Sequence, residues 1–351
     1  MGCAMQPILI RGEMMTGAQP VLTVTDLSIA LGQDGARIPL TEDVSFSIGR
    51  GEVLALVGES GSGKSITALA LMQLLSRSLV IAKGRIVLRA PDGFETDIAA
   101  LGRDGKAIES IRGARMGMIF QEPMSSFSPI HTIGAQIAEV VQIHERVSRQ
   151  AARVRAAELL AKVGIPDPKG ALDRYPSEFS GGMRQRAMIA RALICSPSLL
   201  IADEPTTALD VTIQGQILDL LRKLQRELGM AILFITHDLG IVAQMADRVA
   251  IMYAGRIVES GPVGEMFRHP AHPYTRALLA AVPRLGDLDQ RRKIKPIAGS
   301  VPNIFDAPSG CRFHPRCPVA DPARCASQLP PVHVRGAHAV ACIHGNTELP
   351  A

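Results

Sequence analysis

Apolar residues along this chain fall into two textures, short runs that read as buried strands and longer stretches at helical spacing. Val21 to Ile29 alternates weakly and predicts a strand, followed by the turn Gly32-Gln33-Asp34-Gly35; Val44 to Ile48 predicts a second, closed by Gly49-Arg50-Gly51. Glu52-Val53-Leu54-Ala55-Leu56-Val57 is nearly all apolar and predicts a strand covered on both faces, and Ile66 to Leu75 predicts a helix. Gly84 to Leu88 and Met116 to Phe120 predict further strands, with a loop over Ala90 to Lys106. From Pro123 the texture changes to alanine-rich helical spacing over Ile133 to Val147 and Ala151 to Val163. Leu199 to Ala202 is again a buried strand, ending in Asp203-Glu204. Ile213, Ile217, Leu220, Leu221, Leu224 and Leu228 form one stripe of a helix that predicts core packing. Ala231 to Thr236 and Val249 to Tyr253 complete the strands, and a short helix is expected over Thr275 to Ala281. Strands alternating with helices predict an α/β fold with a largely parallel sheet, and the early short strands predict an antiparallel β flap.

Length and charge narrow little. The 351 residues suffice for one large domain or two to three smaller ones, and 38 Lys and Arg against 33 Asp and Glu give +5. That excess is too mild to argue for nucleic acid. The densest apolar run is far below the roughly 18 residues of a membrane span. Residues 1 to 20 are expected to be a flexible tail without a secretory pattern, Gln6 breaks a myristoylation motif, and Met14 and Met15 are alternative starts. No internal repeat appears, which implies one nucleotide cassette. Of six cysteines, Cys3 and Cys195 stand alone, and Cys311, Cys317, Cys325 and Cys342 crowd one end.

The strand-to-helix junction carries the clearest chemistry. Gly58-Glu59-Ser60-Gly61-Ser62-Gly63-Lys64-Ser65 fits G-x-x-x-x-G-K-[ST] between a predicted strand and helix. Glycines there let successive N–H groups converge on phosphate, helped by the helix dipole. Lys64 reaches the terminal phosphates, and the Ser65 hydroxyl suits Mg²⁺. Asp203, at the carboxyl end of a buried strand, is placed to hold the same Mg²⁺, and Glu204 beside it to polarise water. Ser180-Gly181-Gly182-Met183-Arg184-Gln185 opens a helix and offers a second anion site.

With Arg186, that last stretch resembles the signature of ATP-binding cassette (ABC) proteins. Gln121 resembles their Q-loop, Ala208-Leu209-Asp210 their D-loop and His237 their switch histidine, all in the family's order. The resemblance implies ATP with Mg²⁺, with Gly181 in the nucleotide-binding signature, and a head-to-tail dimer in which Ser180 and Gly182 of one subunit contact the γ-phosphate held by the P-loop of the other. It implies Gln121 on Mg²⁺ and the attacking water, Glu204 as general base, His237 on the γ-phosphate, and Asp210 across the dimer interface. Phe120-Gln121-Glu122-Pro123-Met124, Tyr175 to Arg186, Ala202 to Asp210 and His272-Pro273-Tyr274 look like the ATPase subunits of oligopeptide, dipeptide and nickel importers. Met183 makes the chain look like the first of two paired ATPases.

Three segments follow: the tail over 1–20, a nucleotide-binding domain over 21–262 with a helical subdomain at about 123–192, and a C-terminal extension over 263–351. Implied partners are a second ATPase, either a sister subunit or another copy, two transmembrane permeases and, indirectly, an external substrate-binding protein. The location implied is peripheral, on the cytoplasmic face of the inner membrane. A soluble cassette ATPase acting on nucleic acid is the competing function, disfavoured because neither a second cassette nor a long coiled-coil interruption is present. A P-loop kinase or small GTPase would lack Ser180 to Arg186. Dipeptide, oligopeptide, nickel, glutathione and sugar-like cargo all remain open, because cargo choice belongs to the partners.

The terminal cysteines are separated by 5, 7 and 16 residues, unlike the paired C-x2-C of structural zinc sites. Cys-Arg-Phe-His-Pro-Arg-Cys-Pro resembles members associated with a [4Fe–4S] cluster; Zn²⁺ or another ion and unligated thiols are the alternatives. His314, His333, His338 and His344 are competing ligands, each read more simply as a surface or supporting residue. Arg291-Arg292-Lys293 with Lys295 reads as a solvated linker.

One departure generates a test. Ile29-Ala30-Leu31-Gly32 places the aliphatic Leu31 where the family often has an adenine-stacking aromatic. GTP is therefore expected to support turnover, and an ATP-to-GTP ratio of kcat/KM above about a thousandfold would reject the idea.

Overall fold

The computed structural model describes residues 19–32, 37–121, 126–207, 209–282, 296–303 and 307–345. Most of the tail, Gln33-Asp34-Gly35, Glu122 to Met124, Ala208 and the basic run at 291–295 lie outside the described residues.

Buried strands build the central sheet. Its order is β11-β12-β10-β9-β3-β8-β7-β6, with β3 (Val53–Val57), β6 (Met116–Ile119), β7 (Leu199–Asp203), β8 (Ala231–Thr236) and β9 (Arg248–Tyr253) running parallel. Every residue of β3, β7 and β8 is buried, as expected when both faces are covered. The pleat divides them between two cores. Val53, Ala55, Val57, Leu200 and Ala202 face one side, while Leu54, Leu56, Leu199 and Ile201 face the other. On the second side lie α1 (Lys64–Leu71) and the antiparallel flap β2-β1-β4-β5, made of β1 (Leu22–Leu31), β2 (Ile38–Ile48), β4 (Leu79–Arg89) and β5 (Glu95–Asp97).

The first side takes the helices. α3 (Ile133–His144), α4 (Arg149–Lys162), α5 (Pro168–Ala171) and α6 (Gly181–Leu193) bury Ile137, Val141, Ala156, Leu160 and Ile189 there. Thr132, Ser148 and Ser180 cap α3, α4 and α6 by accepting from Ala135, Ala151 and Met183 N–H. α7 (Val211–Leu228) buries Ile217, Leu220, Leu221 and Leu224, leaving Ile213 and Leu228 half-buried at the ends of the predicted stripe, and stops at left-handed Gly229. α8 (Leu239–Met245) follows β8. Beyond β9, β10 (Arg256–Pro262) turns antiparallel, α9 (Val263–Arg268) and α10 (Pro273–Ala280) follow, and α11 (Pro322–Ser327), β11 (Val332–Arg335) and β12 (His338–Ala341) bring the chain back to the edge of β10.

Two expectations need correction. The P-loop helix ends at Leu71 and not Leu75, because Gln73 adopts φ 52° and Leu74 N–H returns to the Leu69 carbonyl. Ala90 to Lys106 is not plain loop. It holds β5 and a 3₁₀ turn, Ile98–Ala100, organised by Asp97, whose carboxylate accepts from Ile86 and Ala99 N–H, before α2 (Lys106–Glu109) begins. The Pro- and Cys-rich end carries β11 and β12, whose runs of four residues are too brief to show a period in the sequence.

Gly84 lets β1 and β4 approach. With φ 106°, a Cβ there would lie 2.6 Å from the Asp26 carbonyl oxygen and from Leu27 Cα. Gly84→Ala is expected to destabilise the protein by about 2–4 kcal/mol, whereas Gly93→Ala, at φ 84° with open space around it, should cost only about 1 kcal/mol. Denaturant midpoints compare the two, and equal losses would refute the steric account.

Candidate functional site

The turn between β3 and α1 is pressed against the end of β9. A Cβ on Gly58 would sit 2.1 Å from the Met252 carbonyl oxygen, so only glycine permits this approach. Ser62 is buried and its carbonyl accepts from Gly255 N–H at 2.9 Å, while Ser60 and Gly61 form the exposed tip. Gly61 and Gly63 have φ of 77° and 102°, which turn the backbone inward ahead of the α1 N-terminus. Lys64 is 5% exposed, and its Nζ donates to the carbonyls of Gly58 at 2.8 Å and Glu59 at 2.9 Å. Burial lowers its pKa, against the opposing pull of Glu204, Asp203 and Glu59. The ammonium is thus held over the turn, where a phosphate would replace carbonyl partners by a full charge.

Ser65 meets the first of the two strand-end acids. Ser65 Oγ donates to Asp203 Oδ1 at 3.2 Å, which brings two oxygens of the kind Mg²⁺ selects to one place. Burial raises the Asp203 pKa, with Ser65 opposing; a divalent ion there would favour the carboxylate. Glu204 adopts φ 46°, a left-handed conformation fixed by its N–H donating to the Ile235 carbonyl at 2.9 Å. That twist turns its side chain out of the strand. Oε1 lies 3.0 Å from His237 Nδ1, and Oε2 accepts from Gln121 Nε2 at 3.1 Å and Thr207 Oγ1 at 2.9 Å. Partial burial raises the Glu204 pKa, but hydrogen bonds from His237 and Thr207 more than offset it, and the net direction is downward. A carboxylate below its usual range stays ionised at neutral pH and is able to take a proton from water.

The sequence located Gln121, Glu204 and His237 separately; the structure joins them in one hydrogen-bonded group and adds Thr207, which its position in a turn gave no reason to single out. Ser180 and Gly181 lie exposed at the start of α6. Gly182 packs on α7, where an added Cβ would meet Ile213 Cγ2 at 3.1 Å. Gln185, fully buried on α6, donates to the Pro205 carbonyl and ties this signature helix to the turn after Glu204. Asp210 caps α7, accepting from Ile213 N–H at 2.9 Å, with Val211 beside it 85% exposed.

The C-terminal extension reaches the same turn, which no motif announced. Glu259, 1% exposed, accepts from Ala271 N–H at 2.7 Å and His272 N–H at 2.9 Å, and His338 Nε2 lies 2.7 Å from its Oε1. That buried carboxylate fixes the His272-Pro273-Tyr274 turn. His272 Nδ1 caps α10 by accepting from Tyr274 N–H at 3.0 Å, and burial takes its pKa down to about 4, so it is neutral at physiological pH. Tyr274 then points its hydroxyl at the phosphate turn and accepts from Glu59 N–H at 3.0 Å.

Cys311, Cys317, Cys325 and Cys342 come from two turns, α11 and the end of β12. Cys311 N–H donates to the Cys325 carbonyl at 2.8 Å, and Cys325 and Cys342 are buried. Burial takes the Cys311 thiol up to about 11, and its three neighbours add to the rise through mutual repulsion of thiolates. The same two causes raise Cys317 and Cys342. Such thiols stay neutral unless a cation offsets the charge. Among the described residues, though, no group of three or more Cys, His, Asp or Glu side chains is arranged to hold a metal ion. His338 is committed to Glu259, and His314 Nδ1 faces the Cys311 carbonyl at 2.9 Å.

An eight-stranded parallel-centred sheet with a phosphate turn, an antiparallel flap and a helical face is the ABC-type P-loop ATPase cassette fold. The ABC transporter family profile matches residues 41–207, and that of the oligopeptide/dipeptide transporter C-terminal region matches residues 258–325. A peptide import ATP-binding protein of Brucella melitensis is 52% identical over 93% of this chain and 97% of its own length. The glutathione import ATP-binding protein GsiA of Escherichia coli K12 is 54% identical over 76% of this chain and 42% of its own length. Among solved structures, the dimeric ATP-binding cassette MJ0796 bound to ADP and Pi superposes with a TM-score of 0.59 at 25% identity, covering 69% of this chain and 98% of that one. The cbiO1 subunit of the Clostridium perfringens cbiONQ transporter gives 0.59 at 26%, covering 72% and 92%. This chain therefore belongs to the ATP-binding proteins of ABC importers, in the branch that carries the oligopeptide/dipeptide C-terminal region. No helix among the described residues is long and apolar enough to cross a membrane.

Proposed function

We propose that this chain is the ATPase that drives uptake of peptides or a related small solute through two permease subunits, working on the cytoplasmic face of the inner membrane. The observation that carries the catalytic part is Glu204, left-handed at a strand end, ionised, and held at both oxygens by Gln121, Thr207 and His237. In this reading Lys64 and the Gly58 to Ser65 turn hold the β- and γ-phosphates, and Ser65 and Asp203 supply the protein oxygens for Mg²⁺. Glu204 takes the proton of the attacking water; Gln121 orients that water, and His237 positions the γ-phosphate.

A second ATPase subunit completes the site. Ser180 and Gly181 are exposed at the start of α6, Asp210 and Val211 are exposed at the start of α7, and a similar cassette is recorded as a dimer with ADP and Pi. Whether the second subunit is a sister chain or a copy, its signature turn would supply N–H donors on the open side of the γ-phosphate. The cargo class rests on the 52%-identical peptide import relative and on the matching C-terminal region.

For the cysteines the donor chemistry favours a cluster over one ion. Zn–S bonds of about 2.3 Å require four sulfurs in mutual contact, whereas a [4Fe–4S] cluster takes each thiolate on a different iron and so tolerates wider spacing. The four thiols lie near enough for the other three to raise the Cys311 pKa, and their sequence spacing departs from the paired C-x2-C of structural zinc sites. Cys311, Cys317, Cys325 and Cys342 would hold the cluster, which would offset thiolate charge and staple the end of the chain.

Three experiments test these readings. Isolated from membranes, the chain should bring two polytopic proteins with it. Glu204→Gln in that complex should keep ATP binding and lower turnover at least about a hundredfold, and undiminished hydrolysis would remove Glu204 as base. Anaerobic purification should give coloured protein with about four irons per chain; colourless, iron-free protein would reject the cluster.

A further inference from the structure

The phosphate turn contains an acid that ought to hinder its task. Glu59 follows Gly58 directly, and its charge is felt at Lys64, the residue that must meet the phosphates. An uncompensated carboxylate there would repel a polyphosphate and compete for the ammonium. It is compensated from the far end of the chain. Arg316 donates to both Glu59 oxygens, Nη1 to Oε2 at 2.6 Å and Nη2 to Oε1 at 3.1 Å, with its own side chain only 4% exposed. Nη1 also reaches Tyr253 Oη at 3.3 Å, and Nε donates to the Ala298 carbonyl at 2.9 Å, so the guanidinium is fixed from behind. Tyr274, the third residue of the His-Pro-Tyr turn, accepts the outward N–H of the same glutamate.

The surroundings are built to hold these two groups. Tyr253, Tyr274 and Phe313 pack ring on ring at 4.6, 5.2 and 5.3 Å between centroids, using two of the chain's three tyrosines. Phe313 and Arg316 both lie between Cys311 and Cys317. Arg312, in the same segment, donates to the Ala254 carbonyl and pairs with Glu42 on β2, next to Gly255, whose N–H holds Ser62. Arg316, between the two cysteines, thus holds the phosphate turn directly at Glu59, while Arg312 holds the Ala254-Gly255 segment that backs it.

We propose that Arg316 and Tyr274 are positioning residues of the ATP site: they neutralise and orient Glu59, and so let the C-terminal extension set the affinity of the phosphate turn for nucleotide. The inference rests on the ATPase reading above. It makes a signed prediction, since the harm from losing Arg316 lies in the bare Glu59 charge and should vanish when that charge is removed too.

Equilibrium binding of a fluorescent ATP analogue to the full chain, with Mg²⁺, reads this without relying on turnover. Arg316→Ala is expected to weaken binding about tenfold, and the double variant Glu59→Gln with Arg316→Ala to return to within about threefold of wild type. Tyr274→Phe, which keeps the ring but removes the acceptor, should weaken binding about threefold with the melting temperature little changed. If Arg316→Ala does not fold, Arg316→Gln carries the same comparison with Glu59→Gln. Wild-type affinity in the Arg316 variant, or a double variant as weak as the single one, overturns the proposal. Absence of saturable binding in the wild type would instead remove the ATPase reading.

Discussion

Everything at the nucleotide site depends on bringing a lysine ammonium into a turn of backbone. Lys64 is buried, and its ammonium donates to two carbonyls and lies within reach of a hydroxyl, all of its own turn. Burying an ammonium is costly, and the turn must be rigid enough to keep those partners in place until phosphate arrives. Rigidity comes from outside the motif. Gly58 lies against the Met252 carbonyl, and Ser62 accepts from Gly255, so the end of β9 and the turn after it form the back wall. The sheet supplies that wall because β9 pairs in parallel with β3, the strand that delivers the turn.

The acids across the site obey the same constraint. Asp203 and Glu204 are consecutive, yet burial raises one pKa and hydrogen bonding lowers the other. The backbone makes the difference. Asp203 ends β7 inside the sheet and meets Ser65, whereas Glu204 is twisted left-handed and meets Gln121, Thr207 and His237 from three separate loops. One residue becomes suited to a cation and the next to a proton.

Glu259 does for the C-terminal extension what β9 does for the phosphate turn. A fully buried carboxylate that collects two backbone N–H groups and a histidine fixes β10, the turn before α10 and β12 relative to one another. The neutral His272 then works as a cap and not as a charge, and Tyr274 is aimed by the helix it begins. The extension is in this way part of the cassette's core face, where Tyr274 and Phe313 are buried with β3 and β8.

Much of this was legible in the chain itself. The α/β class, the flap, the helical face, the phosphate turn and the pair Asp203-Glu204 all follow from periodicity and from motifs whose spacing is local, because backbone geometry over a few residues fixes them. Ends of elements were less legible: the helix after the turn stops early at Leu71, and β11 and β12 show no pattern, since four-residue strands draw their order from the edge they join. What only the tertiary structure decided is which distant groups share a hydrogen bond. Gln121 and Glu204 are 83 residues apart, and Arg316 and Glu59 are 257 apart. Nothing in the spacing of those residues encodes such contacts; they exist because the sheet order gathers the strand ends and the returning C-terminal segment packs onto the phosphate turn.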